Sequence, residues 1–325
     1  MPDETSSQPV APSPPVSPVT LVTPTPLTLR ARSFSAARPA VMGIVNCTPD
    51  SFYAAARHDL YGAVAAVDQM VAEGADIIDV GGVRAGQQGD WVDADAEIER
   101  VLPVLTAVRA HHPELLLSLD TWRADVVRAC ADVGLDLVND TWQGAEPDLV
   151  HVAAGLGAGY VVSHTGGSAP RTDPDGVRYG PAAADGTRRD DETDVVADVL
   201  HTLQQGARRA REAGIPMQSI LIDPTLDFGK TTRHSLIVLR HTGQLASLGY
   251  PLLQALSRKD FVGESLDLPV EERLEGTLAA TAVAAWLGTV CFRTHDVRAT
   301  RRAVDLVASV RGDRTPALSR RGVRE

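Results

Sequence analysis

The feature that most restricts the fold is an alternation that repeats eight times. Short apolar runs lie at 41–46, 75–80, 115–120, 136–139, 159–164, 219–223, 251–256 and 290–295. Between and after them come segments of helical length and pattern, at 60–73, 95–111, 124–133, 147–154, 192–213, 233–248, 271–287 and 297–310. Runs this short and this apolar read as strands buried on both faces. Strands joined through helices run parallel, because each crossover returns the chain to the same end of the sheet. Eight such units predict an α/β fold, a (β/α)8 TIM barrel in one domain. A doubly wound open sheet is the alternative, but its Gly-x-Gly-x-x-Gly turn after the first strand is missing.

The ends of the chain read differently. Eight of the first thirty residues are proline, and Ser, Thr and Val supply most of the rest. Residues 1–26 are therefore expected to form a disordered tail. Residues 27–34 alternate and predict a short strand closing the base of the domain. The barrel is expected over 27–312, with 313–325 as a flexible tail.

The formal net charge is −11. That disfavours nucleic acid and anionic membranes as partners, so any anionic ligand must be held by local positive charge. Cys47, Cys130 and Cys291 are scattered, which argues against a structural zinc site or a disulfide framework. No apolar run reaches membrane-spanning length, and the amino terminus lacks a secretory pattern. These features predict a cytoplasmic protein.

Almost every strand candidate ends on a polar residue: Asn46, Asp79, Asp120, Asn139, His164, Asp223, Lys259 just beyond its strand, and the pair Arg293 and His295. In a barrel these ends meet at one mouth, where active sites lie. Lysine occurs only twice, at Lys230 and Lys259, among 31 basic residues. Both lysines sit just after strand candidates, where a compact ammonium and a planar guanidinium are not interchangeable. Asp120, Asn139, Asp223 and Lys259 offer donors and acceptors suited to a flat heterocycle with amide and amino edges. Arg293 and His295 alternate, so both face the same side; with Asn46 they suit an oxyanion, directly or through a metal ion. No Ser or Cys stands beside a His in a way that indicates a covalent nucleophile.

Seven fragments resemble the dihydropteroate synthase family. They are Val41-Met-Gly-Ile-Val-Asn-Cys-Thr-Pro-Asp-Ser-Phe52, Ala75-Asp-Ile-Ile-Asp-Val-Gly-Gly82, Ser118-Leu-Asp-Thr121, Val138-Asn-Asp140, Ile222-Asp-Pro224 with Phe228-Gly-Lys230, Ser257-Arg-Lys259 and Arg293-Thr-His-Asp-Val297. They occur in family order. The resemblance implies a (β/α)8 barrel that joins 6-hydroxymethyl-7,8-dihydropterin pyrophosphate to p-aminobenzoate, using Mg2+ and releasing pyrophosphate. Carried over by motif, Asp120, Asn139, Asp223 and Lys259 would hold the pterin. Asn46, Arg293 and His295 would hold the pyrophosphate, with Asn46 on the metal. Phe52 and Ser257 would border p-aminobenzoate. The catalytic set implied is Lys259, Asp223, Arg293 and His295.

Two departures fall in the loops after the first two barrel strands. Tyr53-Ala-Ala-Ala-Arg-His58 stands where the family has Ser-Asp-Gly-Gly, and Gly81-Gly-Val-Arg-Ala-Gly86 is a shortened second signature without its Glu, Thr and Pro. The pattern is similar to the divergent second paralogue of this family. It sets the second substrate and the chemical step at risk more than pterin binding. Three readings stay open: an active synthase, an inactive homologue that binds pterin or sulfa-type ligands, and another pterin-dependent barrel such as a methyltetrahydrofolate methyltransferase domain. Residues 277–288 are apolar nearly all round the helix, which predicts a subunit interface, and the resemblance implies a homodimer.

Overall fold

The computed structural model describes residues 22–47, 60–84, 86, 91–173, 177–180 and 192–322. Its centre is eight parallel strands: β3 Ala40–Asn46, β4 Ile77–Gly81, β5 Leu116–Asp120, β6 Leu137–Asp140, β7 Gly159–Ser163, β8 Ile220–Asp223, β9 Leu253–Ala255 and β10 Cys291–Thr294. They pair in the order β8-β7-β6-β5-β4-β3-β10-β9. A parallel bridge from Ile222 to Leu252 joins the two ends, and Ile222 N donates to Pro251 O at 2.9 Å. The sheet is therefore a closed barrel.

Among the described residues ten α-helices follow the strands: α1 Leu60–Ala72, α2 Ala94–His111, α3 Ala124–Ala129, α4 Leu149–Gly155, α5 Glu192–Glu212, α6 Thr232–Arg240, α7 Thr242–Ala246, α8 Asp260–Leu266, α9 Leu274–Trp286 and α10 Val297–Arg311. The acidic stretch before α2 acts as a cap: the Asp93 carboxylate accepts from Ala96 N at 2.9 Å. Two expectations are corrected. The helix expected over 233–248 breaks at His241 into α6 and α7. The short helix α8, right after Lys259, is additional to the eight expected.

Alternation along each strand creates two cores. Val41, Val45, Ile78, Val80, Leu117, Leu119 and Val138 point outward into the layer between barrel and helices. Met42, Ile77, Leu116, Leu137, Val161, Leu221, Leu253 and Cys291 point inward and fill the lower barrel. The short strand expected at 27–34 is instead a hairpin, β1 Leu27–Leu29 and β2 Arg32–Phe34, turning at Arg30 with φ 49°. Leu27, Leu29 and Phe34 are buried against the inward core and plug the base.

Arginines brace that end. Asp76, at the foot of β4, takes bonds from Arg38 through both nitrogens, at 3.1 and 2.8 Å, and lies 3.2–3.3 Å from Arg32 and Arg301. Forked guanidinium contacts of this kind are open to arginine and not to lysine. Val22–Pro26 runs without regular structure; Val22 packs on the core and its carbonyl accepts from Arg311 Nη2 at 3.0 Å. Residues 1–21 lie outside the described residues.

Candidate functional site

One step up from the apolar layer, the inward positions turn polar: Asp79 on β4, Ser118 and Asp120 on β5, Asn139 on β6, Ser163 on β7, Asp223 on β8 and Arg293 on β10. The period-2 rule that sends Ile77 inward sends Asp79 inward two residues later. This is how residues spread over the whole chain come to share one chamber.

Arg293 organises it. Its Nε donates to Asp79 Oδ2 at 2.6 Å and its Nη2 to Asp120 Oδ2 at 2.7 Å. Burial opposes the guanidinium charge, and Asp79 and Asp120 outweigh it, so the group stays protonated. Asn139 Nδ2 donates to the same Asp79 Oδ2 at 3.0 Å, and Thr141 Oγ1 donates to Asp120 Oδ1 at 3.2 Å. Asn139 Oδ1 and Asp79 Oδ1 are buried and have no hydrogen-bond partner among the described residues. Burial pushes the Asp120 carboxyl up to about 7, with Asp79 adding to the rise and Arg293 opposing it.

Asp223 is buried; its Oδ1 accepts from Thr225 N at 2.8 Å. Burial raises its pKa, and the charge of Lys259 opposes that most strongly. Lys259 is the residue just before α8. Its ammonium lies 4.9 Å from the centre of the Phe228 ring and donates to the Leu226 carbonyl. Burial lowers the Lys259 pKa, while Asp227 and Asp223 favour its charged form.

The other lysine has a different task. Lys230 Nζ donates to the carbonyls of His164 at 2.8 Å, Thr225 at 3.2 Å and Phe228 at 3.0 Å. Three carbonyls converging on one buried point match an ammonium, not a flat guanidinium. Lys230 thus ties the end of β7 to the loop after β8. Gly229 beside it has φ +57°, and a Cβ there would lie 1.9 Å from Thr165 O. Only glycine fits.

His164, expected at the mouth, faces away from it. Ser163 takes the inward position, so His164 points out to α5, with Nε2 2.8 Å from Asp198. Burial, then the Lys230 charge, push its imidazole down to about 4. His295 and Ser257 meet at the rim, where His295 N donates to Ser257 Oγ at 3.2 Å. Desolvation at the rim, then Arg293, lower the His295 pKa. Asn46 ends β3, exposed, opposite Gly81 of β4. Phe52 and the altered loop around it lie outside the described residues. Cys47 is buried, which pushes its thiol up to about 12 against the opposing Arg100 charge, so it offers no thiolate.

The sequence places Phe228 in a motif but assigns no role to it or to the other residues that border Lys259. Phe228 packs edge-on to Trp142 at 5.2 Å, and Asp227 Oδ2 accepts from Phe261 N at 3.2 Å. They open onto a cavity of about 530 Å³ lined also by Arg84, Asp173, Asp260 and Glu264. Its walls come from several separate loops, so no single motif reveals it.

The chain matches known proteins over nearly this whole architecture. The family described as pterin binding enzyme matches residues 42–295. A Mycobacterium leprae protein named inactive dihydropteroate synthase 2 is 50% identical over 296 residues, covering 91% of this chain and 98% of its own. Dihydropteroate synthase of Escherichia coli is 34% identical over 276 residues, covering 85% and 93%. The structure of Xanthomonas albilineans dihydropteroate synthase with 4-aminobenzoic acid superposes with a TM-score of 0.75 at 34% identity, covering 89% of this chain and 99% of that one. The chain belongs to the pterin-binding enzyme family, as a dihydropteroate synthase homologue similar to the form named inactive dihydropteroate synthase 2.

Proposed function

We propose that the chamber holds the pterin of 6-hydroxymethyl-7,8-dihydropterin pyrophosphate, and that synthase turnover with p-aminobenzoate is weak or lost. One observation carries the first half: Asp120, Asn139, Asp223, Lys259 and Arg293 share one buried mouth, with Asn139 Oδ1 left as an unpaired acceptor. The Asp120 and Asp223 carboxylates accept paired ring and amino N–H groups. Asn139 offers both an acceptor and a donor. Lys259, lying over Phe228, faces the ring system as the leaving group departs.

Arg293 points inward from β10 and His295 follows one residue beyond the end of that strand, exposed at the rim. The diphosphate belongs there, beside Asn46. Arg293 Nη1 makes no hydrogen bond among the described residues and is the donor left for a phosphate oxygen. The family's Mg2+ fits this rim only together with substrate. Asn46 would hold the ion through one neutral oxygen, the remaining ligands coming from water and substrate phosphates. The chemistry it brings is neutralisation of the departing diphosphate. The acid–histidine cluster among the described residues, Asp68, His111 and His112, sits at the far end of α2 and does not serve this site.

The second half rests on the two altered loops and on relatives named inactive. Ser257 remains at the rim for an incoming ring, and Phe52 is assigned there from sequence. The protein is proposed to act in the cytoplasm; no helix among the described residues is long and apolar enough to cross a membrane. It is proposed to be a homodimer through α9 and α10, which leave Val283, Leu306 and Val310 exposed at 46%, 65% and 65%.

Calorimetry with the pterin pyrophosphate, followed by pyrophosphate release with p-aminobenzoate, tests this reading. Binding without turnover supports it. Turnover at a synthase's rate returns the chain to the active enzymes, and absence of binding ends the pterin assignment.

A further inference from the structure

The cavity beside Lys259 has a charge that its position does not demand. Four carboxylates line it, Asp173, Asp227, Asp260 and Glu264, against two cations, Arg84 and Lys230. Lys230 is unavailable to a ligand, since its three donors are spent on the carbonyls of His164, Thr225 and Phe228. Lys259 lies outside the lining, and the charges of Asp227 and Asp223 favour its protonated form.

The carboxylates differ in how far they are committed. Asp227 accepts from Ser235 Oγ at 3.0 Å and from Phe261 N at 3.2 Å. Asp260 pairs with Arg273 at 2.8 Å yet keeps 75% of its side chain exposed. Among the described residues, Glu264 accepts from the Thr232 hydroxyl alone, a neutral donor. Glu264 and Asp173 are exposed in the opening. The uncharged part of the wall combines Phe228 and Trp142, edge to face, with Gly86, Thr172, Thr231 and Thr232. The site thus sets an aromatic edge, chiefly Phe228, among more carboxylates than cations.

We infer that this cavity receives an aromatic amine whose ring carries a cationic or neutral substituent, and that it rejects carboxylated rings such as p-aminobenzoate. The inference rests on the pterin reading for its placement next to the reacting end of the first ligand, but the charge preference is a property of the cavity alone. A carboxylated ring entering here meets four carboxylates and, among the described lining residues, one guanidinium, that of Arg84. A cationic substituent pairs with Asp260 or Glu264, and the Phe228 and Trp142 rings border its approach. Loss of p-aminobenzoate chemistry then follows from electrostatics in the second subsite as well as from the altered loops.

The test uses the full chain and three rings that differ only in the para group: p-aminobenzoate, p-aminobenzamide and p-aminobenzamidine. Each is titrated by calorimetry with and without saturating pterin pyrophosphate. The amidine is expected to bind about tenfold tighter than the benzoate, with the amide between, the size that one or two exposed charge contacts supply. The gap should shrink to about threefold or less in 0.5 M salt and in the double variant Asp260→Asn, Glu264→Gln. If that variant does not fold, the salt series on the unaltered chain decides. Benzoate binding as tightly as amidine at low salt, a gap indifferent to salt, or no binding of any of the three rings overturns the inference. If the pterin pyrophosphate does not bind while the amine order holds, the pterin reading fails and the charge preference stands.

Discussion

Arg293 lies 2.6 Å from Asp79, a residue 214 positions earlier in the chain, and the Asp79 side chain is fully buried. The pair spans the barrel interior from β10 to β4, and the same guanidinium reaches Asp120 on β5. Removing Arg293 strands a carboxylate with no water to solvate it. Arg293→Ala is expected to destabilise the fold by about 3–5 kcal/mol. Denaturant unfolding measures it. A loss below about 1 kcal/mol would show that Asp79 finds another partner.

Lys259→Arg tests whether the ammonium is required as such. A guanidinium is flat and cannot take the same position between the Leu226 carbonyl, the Phe228 ring and the Asp223 carboxylate. Affinity for the pterin pyrophosphate should fall by about tenfold or more, on the order of 1.4 kcal/mol. Equal affinity in calorimetry would remove Lys259 from the pterin site.

Pterin affinity should depend on pH through Asp120, held up to about 7 by burial. Only its ionised form accepts two N–H bonds. Raising pH from 6 to 8 takes it from roughly one-tenth to nine-tenths ionised, so affinity should rise about tenfold. Stability runs the other way. Between about pH 4 and 7 the folded chain keeps a proton that the unfolded chain has released, so stability falls as pH rises through that window. Asp120→Asn should flatten both profiles; a pH slope of binding that survives it assigns the titration elsewhere.

Gly229→Ala combines a left-handed backbone with a clash against Thr165 O. The strain alone costs about 1 kcal/mol, and relieving the clash must shift the loop that Lys230 secures. A loss of more than about 2 kcal/mol in thermal or chemical unfolding is expected. A variant as stable as the parent would mean that this loop rearranges freely.

The exposed apolar faces of α9 and α10 predict the assembly. Val283→Asp with Leu306→Asp should convert a dimer to a monomer in sedimentation equilibrium. An unaltered chain that sediments as a monomer across the micromolar range contradicts the proposed interface.

Much of the site could be read in the sequence because a parallel barrel ties position to pattern. Asp120 and Asp223 end their strands and Asn139 stands one residue short of the end of β6, all in phase with the apolar residues that point inward. His164 broke the reading by one residue: counting in twos from Val161 gives Ser163 as the inward side chain. The turn at Arg30 was hidden because Leu27 to Phe34 alternates smoothly and contains no Gly or Pro to mark a reversal. Helix α8 was missed because seven residues are too few to show a helical period. The partners of Arg293 were not legible at all, since nothing in local spacing connects a residue of β10 to carboxylates on β4 and β5.

The hairpin of Leu27 to Phe34 leaves the barrel without a back door. Anything that settles against Asn139 must arrive and depart over the rim. Residence time there will answer to the segments that follow the strands, while the strands themselves decide only what is recognised.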